Sequence, residues 1–244
     1  MEDIILIAVI AFAATLFRST FGFGEALIAV PLLGLFLPMP AAVPLAVMMS
    51  ILVAAVILVQ DHRKVHFQSA KWLILFAVMG IPFGLALLFY GNEPVIKVIL
   101  GVIIILYSLY TLIGKNPVRL EKDSKPWLFV CGFLSGVFGG AYGVNGPPLV
   151  VYGNLRGWDA RYFRATLQAY FLPAGLVSMI GYLGKGMIDA DAMVRFACSV
   201  PAIIPAIFLG RYLNKKIEGE SFYRYVYSGL ILIGGILIAD SVIC

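Results

Sequence analysis

Two short stretches concentrate the chemically useful residues of an otherwise apolar chain. The first is Phe21-Gly22-Phe23-Gly24-Glu25, with Arg18 and Thr20 just ahead of it. The second is Gly139-Gly140-Ala141-Tyr142-Gly143-Val144-Asn145-Gly146-Pro147-Pro148. Gly22, Gly24, Gly143 and Gly146 let a backbone turn and approach a ligand with no Cβ in the way. Pro147 and Pro148 suit the first turn of a helix, where a missing N–H costs nothing. Helices are therefore predicted to start near Glu25 and near Pro147. Their unpaired N–H groups and positive dipole ends would face the breaks, which is the chemistry a small oxyanion requires. Arg18 either contacts or steers that anion, snorkels to the cytoplasmic face, or pairs with Glu25. Glu25, for its part, either carries a coupling proton or serves that pairing. Thr20, Asn145 and Gln168 offer uncharged hydrogen bonds, and Phe23 and Tyr142 line or gate the route.

Other chemistries lack their materials. His62 and His66 fall in one polar loop, so neither a zinc set nor a Ser–His pair is expected at membrane depth, and no metal or cofactor is expected. Cys131, Cys198 and Cys244 have no CxxC spacing and read as small buried hydrophobes. Gly139 to Gly143 lacks the Lys-Ser/Thr of a phosphate-binding loop. Gly80 with Gly84, and Gly132 with Gly136, stand at GxxxG spacing and read as close helix packing.

The elements that must position these residues follow from composition. Of 244 residues 61% are apolar and 13% charged, and mean hydropathy is +0.98. A soluble domain carries about 25% charge, so a water-soluble enzyme is not expected. Apolar runs near 41–60, 71–90, 96–113, 165–184, 192–210 and 225–243 each have the length of a membrane crossing. The regions 4–38 and 126–155 are interrupted and read as pairs of segments meeting at a non-helical break. Their pieces 4–17, 126–138 and 147–155 look short for a full crossing. Met1-Glu2-Asp3 lacks a basic n-region, so no cleaved signal peptide is expected.

Charge orients the chain. The net charge is +5, but the excess lies in a few loops, so it marks membrane orientation and not nucleic-acid binding. One set of loops holds Arg18; Arg63, Lys64 and Lys71; Lys115, Arg119, Lys122 and Lys125; Arg156, Arg161 and Arg164; and Arg211, Lys215, Lys216 and Arg224. Only Lys97, Lys185 and Arg195 fall on the other face. The positive-inside rule puts the larger set in the cytoplasm and both termini outside. Trp72, Trp127 and Trp158 read as interface anchors, and Asp240 as interfacial.

That orientation needs five apolar segments in each half. A first repeat over 1–113, a cytoplasmic linker over 114–125 and a second repeat over 126–244 carry similar features in the same order. Lys97-Val98-Ile99-Leu100-Gly101-Val102-Ile103, for instance, parallels Tyr225-Val226-Tyr227-Ser228-Gly229-Leu230-Ile231. An odd number of segments per repeat makes the copies antiparallel. Inverted repeats with broken helices are the sequence signature of secondary transporters that bind substrate near the midplane. The expectation is an all-α polytopic membrane protein, a monomer or a homodimer, working by alternating access on a small anion. The rivals are a passive anion channel and, with less support, an intramembrane enzyme.

On Gly22-Phe23-Gly24-Glu25 followed by Pro31-Leu32-Leu33, on Gly139 to Pro148, and on the duplicated order of features, the chain resembles members of the sulfite exporter TauE/SafE family, also called the toluene-sulfonate uptake permease family. The resemblance spans essentially the whole length. It implies a multi-pass carrier of the bacterial inner membrane for sulfur-containing anions such as sulfite, sulfonates or sulfoacetate. Glu25 in the first copy and Asn145 in the second depart from a plain Gly-x-Gly-Gly-Gly pattern.

Overall fold

The computed structural model describes residues 2–61, 65–113, 120–158, 160–214, 228, 231–236, 238–239 and 241. Nine helices are laid out among them: α1 (Glu2–Phe21), α2 (Glu25–Leu33), α3 (Met39–Asp61), α4 (Phe67–Tyr90), α5 (Glu93–Ile113), α6 (Lys125–Tyr142), α7 (Gly146–Arg156), α8 (Ala160–Gly184) and α9 (Ala190–Asn214). A further helical stretch covers 231–236. Regular structure among the described residues is all helical. Helices α1, α3, α4, α5, α8 and α9 are each long and apolar enough to cross a bilayer, and the chain is a multi-pass membrane protein. Its outer surface agrees. Phe83, Leu106 and Ile180 are 64%, 62% and 70% exposed, a distribution that water penalises and lipid does not.

α3 is the hub. Ala42, Val43, Ala46, Met49, Val53, Ala54 and Ile57 are all buried along it, and α2, α8 and α9 pack around it. Outside that hub, α1 lies along α9 and α4 lies along α6. Small residues set both distances. A Cβ on Gly84 would stand 2.1 Å from the Val137 carbonyl oxygen, and one on Gly136 2.2 Å from that of Ala77. A Cβ on Gly210 of α9 would stand 2.5 Å from Cβ of Ser19. The GxxxG glycines are thus the surface on which α4 and α6 meet, as their spacing predicts.

Two sequence expectations are corrected. The pieces 4–17 and 126–138 looked short, but α1 has 20 residues and α6 has 18, and α1 is long enough to cross. Arg18 does not end α1 because its charge is neutralised inside the protein, and Gly139 and Gly140 stay helical because neighbours pack closely there. Cys131 is buried but Cys198 is exposed, because the face of α9 that carries it looks outward. Trp158 stacks on His66 at 5.5 Å. His62, Asp240, Cys244, Arg63, Lys64, Lys115, Arg119, Lys215, Lys216 and Arg224 lie outside the described residues, as does the side chain of Arg161.

The expected short segments are present. α2 has 9 residues and α7 has 11, so they are about 14 and 17 Å long at 1.5 Å per residue, roughly half of a hydrocarbon core of about 30 Å.

Candidate functional site

The first break forms because Gly22 and Gly24 adopt φ of 89° and 94°, values that residues with a Cβ rarely reach. The chain leaves α1 and turns back beside it. Thr15 Oγ1 donates to Glu25 Oε1 at 3.1 Å, whereas ten residues of continuous helix would separate them by about 15 Å. The second break repeats the move. Gly143 has φ 67°, and Ser135 Oγ donates to the carbonyl oxygen of Asn145, again across ten residues, at 2.7 Å.

These turns bring both short helices to one cavity. It is lined by Arg18, Gly24, Glu25, Ala26, Leu27 and Ser50, by Gly143 to Gly146, and by Phe171. The N-caps are Gly24 for α2 and Asn145 for α7, and neither helix has a side-chain cap hydrogen bond. The first turns of two helices therefore border the same space with no side-chain cap; α2 presents its terminal N–H groups there and α7 that of Gly146, because Pro147 and Pro148 have none. Glu25, in the first turn of α2, complements the positive end of that helix. The cavity has about 20 Å³ of room for water centres; one water needs about 10–15 Å³. In this conformation it is too small for an oxyanion of four or more heavy atoms.

Arg18 dominates the electrostatics. Its Nη1 meets Glu25 Oε2 at 2.5 Å, with both side chains 2% exposed. Nη1 also donates to Ser50 Oγ at 2.5 Å and to the Ser50 carbonyl at 3.1 Å. Nε and Nη2 donate to Gln168 Oε1 at 3.2 and 2.7 Å. Gln168 Nε2 then donates to the carbonyl of Gly22 at 2.6 Å, tying α8 to the first break. The guanidinium carbon stands 4.8 Å from the centre of the Phe171 ring, a cation–π distance. A buried guanidinium needs this many partners, because an unpaired one would be too costly to dehydrate.

The predicted residues divide on this geometry. Arg18, Gly24, Glu25, Gly143, Asn145 and Gly146 meet at the cavity, and Gln168 reaches it through Arg18. Gly22 stands behind it, with its carbonyl held by Gln168. Thr20 is turned away: two residues beyond Arg18 is about 200° around a helix, and its hydroxyl donates to the Leu16 carbonyl at 2.7 Å. Phe23 packs edge-on to Tyr107 and Phe163. Tyr142 is buried and does not line the cavity. Gly146 has no left-handed backbone, and a Cβ there would meet Phe23 at an ordinary 3.4 Å. Sequence reasoning missed Thr15, Ser50, Ser135 and Phe171. Thr15 stands one helical turn before Arg18, a spacing that could have flagged it; Ser50 and Phe171 are brought in by packing alone.

A second polar cluster lies where the residues preceding α6 meet α4 and α7. Asp123 accepts from Ser69 Oγ at 2.9 Å, Tyr152 OH at 2.8 Å and Arg156 Nε at 2.9 Å. Among the described residues, no three His, Cys, Asp or Glu side chains gather as a metal site would need.

Comparison with known proteins agrees with this architecture. The chain is 23% identical over 235 residues to a protein of Cupriavidus necator described as a probable sulfite/organosulfonate exporter TauE, covering 94% of this chain and 91% of the relative. No solved structure matches the chain. The family described as sulfite exporter TauE/SafE matches over residues 6–237, nearly end to end and across both breaks, and the chain belongs to that family of membrane transporters.

Proposed function

We propose that this protein is a secondary carrier that moves small sulfur-containing oxyanions, of the sulfite, sulfonate or sulfoacetate class, across the cytoplasmic membrane by alternating access. The convergence of both uncapped helix starts on the cavity that holds Arg18 carries this reading. Arg18 supplies the formal charge, and the first-turn amides of α2 together with the Gly146 N–H of α7, whose next two residues are prolines, supply directional donors. Gln168 and Asn145 orient that frame, and Glu25 is the group able to take up a proton. Outward movement is supported by the family description and by the relative's name.

Two inverted repeats give the alternating motion. In support, helices of 20, 9, 23, 24 and 21 residues are followed by helices of 18, 11, 25 and 25 and a further helical stretch. The packing is reciprocal as well: α1 on α9 answers α6 on α4, with α3 against α8 between them. Rocking of one half on the other opens the site to each side in turn.

The test is flux in liposomes holding the purified protein. Saturable sulfite uptake accelerated by unlabelled sulfite on the far side is the expected result. Ohmic conductance without such exchange would make the protein a channel.

A further inference from the structure

Resting on that reading, we infer that the cavity accepts its anion only together with a proton on Glu25, so that it takes one monoanion and one proton as a neutral pair.

Space and charge argue this together. The Glu25 carboxylate already occupies the Arg18 Nη1 position, and the cavity beside it has room for about one water. An oxyanion of four or more heavy atoms does not fit in that room and must displace a partner of the guanidinium; of those partners, Glu25, Ser50 and Gln168, Glu25 is the one that carries a like charge, so it is the one that must give way. Its lining holds one cation, Arg18, and one carboxylate, Glu25. Glu25 is faced by Arg18 and Thr15 from α1, and Ser50 of α3 and Gln168 of α8 share its Arg18 partner. Other charged or titratable side chains of the packed elements, Arg164, Tyr107, Tyr170 and Tyr142, do not line the cavity. Arg164 of α8 packs on Gly22, Tyr107 of α5 packs on Phe23, Tyr170 of α8 lies beside Ser135 and Asn145, and Tyr142 is outside the lining. With Glu25 ionised, a bound anion would leave two negative charges against one guanidinium in a dehydrated site, which is strongly disfavoured. When Glu25 binds a proton, one O–H bond forms on its carboxyl and its charge on Arg18 is relinquished. The anion then takes the vacated guanidinium donors, and charge balances. On the far side the anion leaves, the proton passes from the carboxyl to water, and the Arg18–Glu25 pair closes again. A dianion would leave one charge uncompensated, so within the proposed class the site selects monoanionic sulfonates and singly charged sulfur oxyanions over dianions such as sulfoacetate and sulfate.

The test uses the full chain in detergent with methanesulfonate, which keeps one negative charge across the working range, and a pH-indicator dye in weak buffer. The expected result is uptake of one proton per anion bound wherever Glu25 is ionised in the free protein, with apparent affinity falling about tenfold per pH unit there. Sulfate should not displace methanesulfonate. Glu25→Gln should bind methanesulfonate with no proton uptake and with pH-independent affinity. The wild-type measurement needs no variant, so a folding defect in Glu25→Gln leaves the decision intact. Methanesulfonate binding without proton uptake between about pH 5 and 9, or equal competition by sulfate, overturns the inference while leaving an anion carrier. If methanesulfonate does not bind but sulfite exchange persists in liposomes, only the inference is lost. If both fail, the carrier reading fails with it.

Discussion

Arg18 and Glu25 are ionisable groups that a bilayer-spanning helix bundle tolerates only as a unit. Each supplies what the other's burial demands, and Thr15, Ser50 and Gln168 complete the set. Glu25→Ala leaves a buried guanidinium uncompensated, and a loss of about 3–5 kcal/mol is expected from thermal unfolding of the purified protein. The double replacement Arg18→Gln with Glu25→Gln removes both charges and should lose less than the sum of the two single changes. Gly24 carries a different constraint. Its φ is 94°, and a Cβ would sit 2.5 Å from Cε1 of Phe17. Gly24→Ala should therefore lose stability and transport together, with partial recovery of stability when Phe17 is also shortened to Leu. No recovery would show that backbone conformation alone sets the requirement.

Between elements, backbone contact does the work that water-driven burial does in soluble proteins. α4 and α6 approach until Gly84 meets the Val137 carbonyl and Gly136 meets that of Ala77. Gly84→Ala must push these helices apart, because backbone atoms cannot rotate out of the way. It should lower the unfolding temperature clearly, whereas Gly184→Ala, with nothing within 4 Å of its added Cβ, should change stability by less than about 0.5 kcal/mol. Asp123 has a comparable role at the edge of α6. It ties α4, α7 and residues 120–125 together through Ser69, Tyr152 and Arg156. Asp123→Ala should make that segment more sensitive to protease, at unchanged cleavage elsewhere.

For the whole molecule, the sign and spacing of charge predict which loops share a face. Single cysteines placed at Lys122 and at Asp189, in a background stripped of Cys131, Cys198 and Cys244, should react with impermeant reagent from opposite sides of the membrane. Lys122 is expected to be cytoplasmic. Reaction of both from one side would contradict the arrangement of five segments per half. It would also remove the antiparallel relation on which the proposed alternating access rests.

Membrane residence, all-helical structure and the positions of the breaks were legible in the chain itself, because they depend on local properties. Apolar length decides a crossing, and glycine beside proline decides where a helix can stop and start. Helix starts near Glu25 and Pro147 agree with α2 and α7 to within a residue. The length of α1 was misread because Arg18 looked like the end of an apolar run, and only its partners on α2, α3 and α8 make it affordable inside. For the same reason the sequence left Arg18 and Glu25 open between binding and pairing. Thr20 and Phe23 stood near the break in sequence, yet helix phase and aromatic packing turn them from the cavity. Ser50 and Phe171 bear no local mark at all. They join the site because α3 and α8 pack against each other at the centre, and long-range packing is what a one-dimensional pattern of residue types does not encode by itself.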